Sequence, residues 1–233
     1  MYSVVQLLFS GLATLGAAAV ERSMPMSMPI NHSLAEKLIF LPGAAGNTNV
    51  WKPVSAGLHH PGQREFFAWP GFGGVPREPG ISGIDDLVKR VSAGISGPVD
   101  LLAQSMGGVI AIRAALEKPS MVRHLVLSVT SGGLDVASLG GADWRQAYRE
   151  SNPTIPDWFI YEKEDLTARL GELQLPVLLL WGDADPISPV AVGQRLAELL
   201  PKAELIVVKN GSHDLVSERA EEIVPYIEKF LGS

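Results

Sequence analysis

The stretch AQSMGG places Ser105 between an apolar run, VDLLAQ, and residues of helical character, with Gly107 and Gly108 close behind. Where a strand turns sharply into a helix, the corner residue is thrust out over the sheet. Small residues two places before and after the corner let strand and helix pack tightly around that turn. Ala103 and Gly107 hold those places, so the usual G-x-S-x-G pattern reads A-x-S-x-G. A helix-capping serine has the same local signature, so these residues alone do not decide. The chemistry in view is nucleophilic attack by the hydroxyl, which needs a base to take its proton.

Five histidines compete for that role. His32 lies in an unusual N-terminal stretch. His59 and His60 fall in a polar turn before PGQRE, where solvation is expected, and His124 opens a strand, where a structural role is expected. His213 differs: it sits in KNGSHD, directly after the last apolar run and before the last helix. In a parallel sheet that loop lies at the carboxyl edge, together with Ser105, where ligand sites form. The imidazole in turn needs a carboxylate to hold its tautomer and stabilise its charged form. WGDADPISP follows the run PVLLL and offers Asp183 and Asp185; either is also a natural turn aspartate, and spacing does not choose. Attack on a carbonyl also needs donors for the oxyanion. The Met106 N–H, next after the nucleophile, is one. The Ala44 N–H is the best candidate for the second, in FLPGAAGN, where Gly43 and Gly46 let the backbone turn. G-A-A-G with no following lysine fits neither a P-loop nor a dinucleotide fingerprint.

These groups meet only if the chain builds one sheet edge. From Glu36 onward strand and helix signals alternate. EKLIFLPG, EFFAWPG, PVDLLAQ, VRHLVLSV, PVLLLWG and AELIVV read as strands. Their interiors are continuously apolar, the pattern of a parallel sheet covered on both faces. Between them, residues 48–58 place Val50, Trp51, Val54 and Leu58 at helical spacing. SGIDDLVKRVSAGI is amphipathic, with Ser82 and Asp85 spaced as a capping box. Further helices are expected over 106–118, after Ser188 and Pro189 as N-cap and first residue, and up to Leu231, with Pro225 kinking or dividing the last. Residues 131–172 break the rhythm. Rich in Gly, Pro, Trp and Tyr, they hold no convincing strand and read as a small helical cap over the strand ends. Trp51, Trp144, Tyr148 and Trp158 are the candidate pocket-lining aromatics.

Composition bounds the partners. With 233 residues, 46% hydrophobic, a net charge of −6 and no basic run, one globular domain is expected and nucleic acid is not. Absence of cysteine excludes disulfides, thiolate metal sites and a cysteine nucleophile. Residues 1–20 carry no charge and are long enough for an export signal or membrane anchor, yet lack a basic leading segment. The favoured reading is a start at Met24, Met26 or Met28 and a cytoplasmic protein without membrane attachment. Residues 1–33 are therefore set aside as an extension, and 34–233 are taken as the domain, with the cap inserted at about 131–172.

Taken together the pieces resemble the α/β-hydrolase family, over about residues 35–233. The order Ser105, aspartate, His213 matches that family's order. GDAD resembles its G-x-x-D segment, which implies Asp185 as the acid. GSHD resembles its G-x-G-H loop with Ser212 for the second glycine. LPGAAGN resembles its H-G-x-x-G loop with Pro42 for histidine, and WPGFGG its D-x-x-G-x-G turn with Ala68 for aspartate. The resemblance implies a mostly parallel sheet of about six strands flanked by helices, under a small cap. It implies a carboxylesterase-like serine hydrolase forming an acyl-enzyme, with catalytic Ser105, Asp185 and His213 and oxyanion donors Ala44 and Met106. No metal or organic cofactor is implied. The expected substrate is a small acyl ester or thioester, with an acyl-carrier protein as a further partner that Arg145 and Arg149 on the cap would meet. Menaquinone-pathway lyases and non-enzymatic receptors on the same fold are the alternatives.

Overall fold

A computed structural model describes residues 35–232. The reading of residues 1–33 as an extension lies outside them. In chain order the elements are β1 (Lys37–Leu41), α1 (Lys52–Gly57), β2 (Gln63–Phe66), α2 (Ile84–Gly94), β3 (Val99–Gln104), α3 (Met106–Glu117), β4 (Val122–Ser128), α4 (Arg145–Ser151), α5 (Asp157–Tyr161), β5 (Val177–Gly182), α6 (Val190–Leu199), β6 (Ala203–Val208), α7 (Leu215–Glu218) and α8 (Ala220–Leu231). The six strands form one sheet in the order β2-β1-β3-β4-β5-β6, and every pairing is parallel.

The continuous apolar runs explain the four central strands, β1, β3, β4 and β5, whereas the edge strands β2 and β6 carry exposed polar residues. Successive side chains on a strand point to opposite faces, so a strand buried on both faces needs apolar residues throughout. In β1, Ile39 and Leu41 join one core while Leu38 and Phe40 join the other. In β5, Val177, Leu179 and Trp181 face the first core, and Leu178 and Leu180 the second. The first core is closed by α2, α3 and α6, through Leu87, Ile110 and Leu196 among others. The second is closed by α1, α7 and α8, through Val54, Leu215, Ile223 and Ile227. Burying each such side chain contributes about 1.5–3 kcal/mol.

Several boundaries differ from the sequence reading. β2 ends at Phe66, and the chain leaves the sheet as FAWPG begins. Ser82 bonds Asp86, not Asp85: both its N–H (2.9 Å) and its hydroxyl (3.0 Å) donate to the Asp86 carboxylate. Asp85 instead pairs with Arg113 of α3. Pro189, not Ser188, stands at the N-cap of α6. The last helical stretch divides at Arg219, and Pro225 lies inside α8. Between β4 and β5, residues 131–172 contain α4, α5 and two 3-10 turns, Ala137–Leu139 and Leu170–Glu172, and no strand.

Strand order decides where a site forms. From β1 the chain crosses to β2 on one side and then to β3 on the other. The loops leaving β1 and β3 therefore part at their carboxyl ends and open a crevice. Those two loops carry Gly43–Gly46 and Ser105.

Candidate active site

Ser105 sits at the corner between β3 and α3 with φ 51° and ψ −120°. A non-glycine residue there is strained and persists only where its surroundings hold it. They do. The Ser105 N–H donates to the Ser128 carbonyl of β4 (3.0 Å), and its own carbonyl accepts the Gly108 N–H (2.9 Å). Gly107 is required: a Cβ there would lie 2.7 Å from the carbonyl oxygens of Leu41 and Pro42. Ala103 is fully buried, so its methyl fits where the usual pattern has glycine. Although Ser105 precedes α3, its side chain makes no helix-capping hydrogen bond. Its Oγ lies 3.1 Å from His213 Nε2 instead.

His213 Nδ1 lies 2.7 Å from Asp185 Oδ2. The other oxygen of Asp185 accepts the N–H groups of Ile187 (2.8 Å) and Ser188 (3.2 Å). An ionised carboxylate only accepts, so it assigns the proton to Nδ1 and leaves the Nε2 lone pair facing Ser105. Asp185 is 4% exposed. Asp183 faces solvent and accepts the N–H of Asn210, in the loop after β6, while the i,i+2 turn bond to the backbone belongs to Asp185. The geometry thus separates the two carboxylates that spacing left level. The histidine loop is tied down as well: Gln104, beside the serine, donates its side-chain amide to the His213 carbonyl (2.8 Å). The His213 side chain keeps 22% of its surface open, which leaves room for a reactant.

The loop after β1 lies against the serine, where a Cβ on Gly43 would be 3.1 Å from Ser105 Cβ. Trp69 donates its indole N–H to the Pro42 carbonyl (2.8 Å), and Tyr148 its hydroxyl to the Ala44 carbonyl (2.7 Å). Burial pushes the Tyr148 hydroxyl pKa up, so it stays a donor. The Ala44 N–H has no acceptor among the described residues. Met106 opens α3, so its N–H has no intrahelical acceptor.

The expected pocket aromatics divide. Trp51 does not belong with them. It is 1% exposed, donates its indole N–H to the Leu41 carbonyl (3.0 Å) and packs near Phe40 in the core under α1. Trp144, Tyr148 and Trp158 surround Phe159 at ring distances of 5.3, 6.1 and 6.1 Å. Phe72, which the sequence did not single out, docks that cluster on the loop after β2, 5.3 Å from Phe159. Arg149 is engaged within the cap segment by Asp157 (2.6 Å) and the Tyr161 hydroxyl (2.9 Å). The two turn histidines also part. The His59 side chain is 92% exposed, but that of His60 is 7% exposed and lies 3.7 Å from buried Asp100. His124 bonds the same Asp100 at 2.8 Å, a structural place as expected. Among the described residues no cluster of His, Asp and Glu is arranged to hold a metal ion. Nor is any described helix long and apolar enough to cross a membrane.

A parallel sheet with a serine corner, a histidine and a carboxylate at one edge defines a class, and comparison with known proteins agrees. The alpha/beta hydrolase family model matches residues 38–161, and a model described as TAP-like protein matches residues 152–233. The chain belongs to the alpha/beta hydrolase family. It is 24% identical to the pimeloyl-[acyl-carrier protein] methyl ester esterase of Nitrosomonas europaea, over 76% of this chain and 88% of the relative. It is 26% identical to a 2-hydroxy-6-oxononadienedioate/2-hydroxy-6-oxononatrienedioate hydrolase of Cupriavidus pinatubonensis, over 85% and 88%. Among solved structures, a thermophilic esterase from Thermogutta terrifontis superposes with a TM-score of 0.68 at 19% identity, covering 85% of this chain and 90% of that one.

Proposed function

We propose that the protein is a serine hydrolase that cleaves carboxylic esters or thioesters through an acyl-enzyme. The observation that carries this reading is one hydrogen-bonded line, Asp185 to His213 to Ser105, ending on a strained corner at the sheet's crevice. His213 Nε2 takes the Ser105 proton as Oγ attacks the substrate carbonyl. The Ala44 and Met106 amides receive the oxyanion. His213 then returns the proton to the departing alcohol or thiol. Water, activated by the same imidazole, releases the acid. Asp185, bonded to Nδ1, stabilises the charged imidazole between these steps.

Residues 131–172 act as the cap of this site, since Tyr148 from α4 reaches the Ala44 loop. Relatives named as methyl ester esterase and as dienedioate hydrolase make small acyl compounds the first substrates to try, with carrier-bound acyl groups next. The test has two parts. A fluorophosphonate probe is expected to label the wild type and not Ser105→Ala. A panel of p-nitrophenyl esters and acyl thioesters of rising chain length is expected to be hydrolysed by the wild type alone. Equal labelling of both forms, or turnover by Ser105→Ala, would overturn the reading.

A further inference from the structure

Thr130 follows β4 and is fully buried beside the serine corner. Its hydroxyl donates to the Ser105 carbonyl at 2.6 Å and accepts the Gly132 N–H at 3.1 Å. Its own carbonyl accepts the Ser188 hydroxyl at 3.2 Å, and the Ser188 N–H is one of the two that hold Asp185. The residue before it, Val129, has φ 44° while 1% exposed. A buried β-branched residue in that region is a real outlier, so the surrounding structure holds this bend against strain. Val129 is held by its N–H, which donates to the Leu180 carbonyl of β5 (3.2 Å).

The Ser105 carbonyl and the Met106 N–H belong to one planar peptide and point in opposite directions. Whatever fixes the carbonyl therefore aims the N–H. A hydrogen bond to the carbonyl also polarises the amide and makes its N–H a stronger donor. The other proposed oxyanion donor has the same arrangement: the carbonyl of its peptide, Gly43, accepts the Gly46 N–H at 3.0 Å. We infer that Thr130 is a positioning residue for the oxyanion site, its hydroxyl holding the Ser105 carbonyl so that the Met106 N–H points at the developing oxyanion. Through Ser188 the same residue ties that donor to the loop of the acid. This inference rests on the acyl-enzyme reading above.

The test compares wild type, Thr130→Val and Thr130→Ser in the full chain. Each is assayed for kcat and KM on a short p-nitrophenyl ester, for inhibition by an alkyl boronic acid whose tetrahedral adduct carries the oxyanion, and for melting temperature. Thr130→Val keeps the shape and loses the hydroxyl. It is expected to lower kcat about 10- to 100-fold, less than loss of a whole oxyanion donor, with KM within about 2-fold. The boronate should weaken by a similar factor. Thr130→Ser should recover kcat to within about 3-fold of wild type. If Thr130→Val fails to fold, Thr130→Ala removes the same hydroxyl with less bulk. A hydroxyl-free variant that folds and keeps wild-type kcat and boronate affinity would overturn the inference, as would a Thr130→Ser loss as large as that of the valine. In those cases fluorophosphonate labelling of Ser105 in the wild type keeps the acyl-enzyme reading standing. Absent labelling overturns both.

Discussion

Two histidine–aspartate pairs lie toward opposite edges of the sheet, one near the strands' amino ends and one past their carboxyl ends, and their bonds are nearly the same length. His213 Nδ1 meets Asp185 at 2.7 Å, and His124 Nδ1 meets Asp100 at 2.8 Å. Both aspartates are buried, at 4% and 1% exposure. What differs is the far side of each pair. His213 turns Nε2 to a strained serine and keeps 22% of its side chain exposed. His124 stands across from Asp100 on the neighbouring strand and packs its ring edge-on to Phe230, 5.2 Å away. The third member of the inner group is another histidine, His60, not a hydroxyl. An imidazole–carboxylate pair is therefore no sign of catalysis by itself. It becomes one when the free ring nitrogen faces something that can react.

That contrast is open to breakage by mutation. The largest effect belongs to Ser105→Ala, expected to lower kcat on a short ester by on the order of 10⁵–10⁶, with the melting temperature retained. Asp185→Asn comes next, at about 10⁴ in kcat, while Asp183→Asn stays within a few-fold; equal losses in steady-state assays would return the two carboxylates to a tie. Asp100→Ala inverts the pattern. It leaves the buried His124 imidazole without its hydrogen-bond partner, so urea unfolding should show a loss of about 1–3 kcal/mol, while kcat at a temperature where the variant is folded stays near wild type. A selective fall in kcat there would show that the inner pair is coupled to the site.

The smallest effect is on pH dependence. Burial holds His60 below the ordinary histidine value, with Asp100 acting the other way and Arg64, Arg123 and His124 adding to the depression. Its folded form thus binds a proton less readily than the unfolded chain does. Stability attributable to neutral His60 is present above about pH 6.5 and falls as the pH drops below it, because the unfolded state then takes up more protons. His60→Gln should flatten the fall in melting temperature between about pH 6.5 and 5. A steeper fall in the variant would mean that the Asp100 attraction outweighs burial.

The sheet was legible because burial on both faces demands unbroken apolar runs, and these stand out in LIFL and VLLLW. The candidate site was legible because a parallel sheet sends every strand's carboxyl end to one edge. Ser105 directly follows β3, Asp185 and His213 lie in the loops after β5 and β6, and the structure brings these three within hydrogen-bond reach. What stayed hidden depends on which face a residue takes. Trp51 has the character of a pocket residue, but its ring falls on the α1 side of the sheet, in the core. His60 looks like part of a polar turn, and only the fold brings Asp100 under it. Ser82 reaches Asp86 because the backbone enters α2 one residue off the expected capping phase. Thr130 stood in plain view at the end of VRHLVLSVT. Its meaning required knowing that β4 is the neighbour of β3.

The strand order also sets a timetable. Ser105 and His213 are 108 positions apart in the chain, while the serine corner takes its support from β1, β3 and β4. A chain leaves the ribosome N-terminal part first. Contacts between distant segments reward the chain only after a long loop has closed. On the proposed reading, the strands that support Ser105 are made before the segment that carries His213, and an unassisted serine hydroxyl is inert. On that same reading, reactivity would arrive as the final strand docks and brings His213 to Ser105. On the serine-hydrolase reading proposed above, a half-made chain holds the Ser105 corner's supports from β1, β3 and β4 but neither its proposed base nor the β5 contact of Val129.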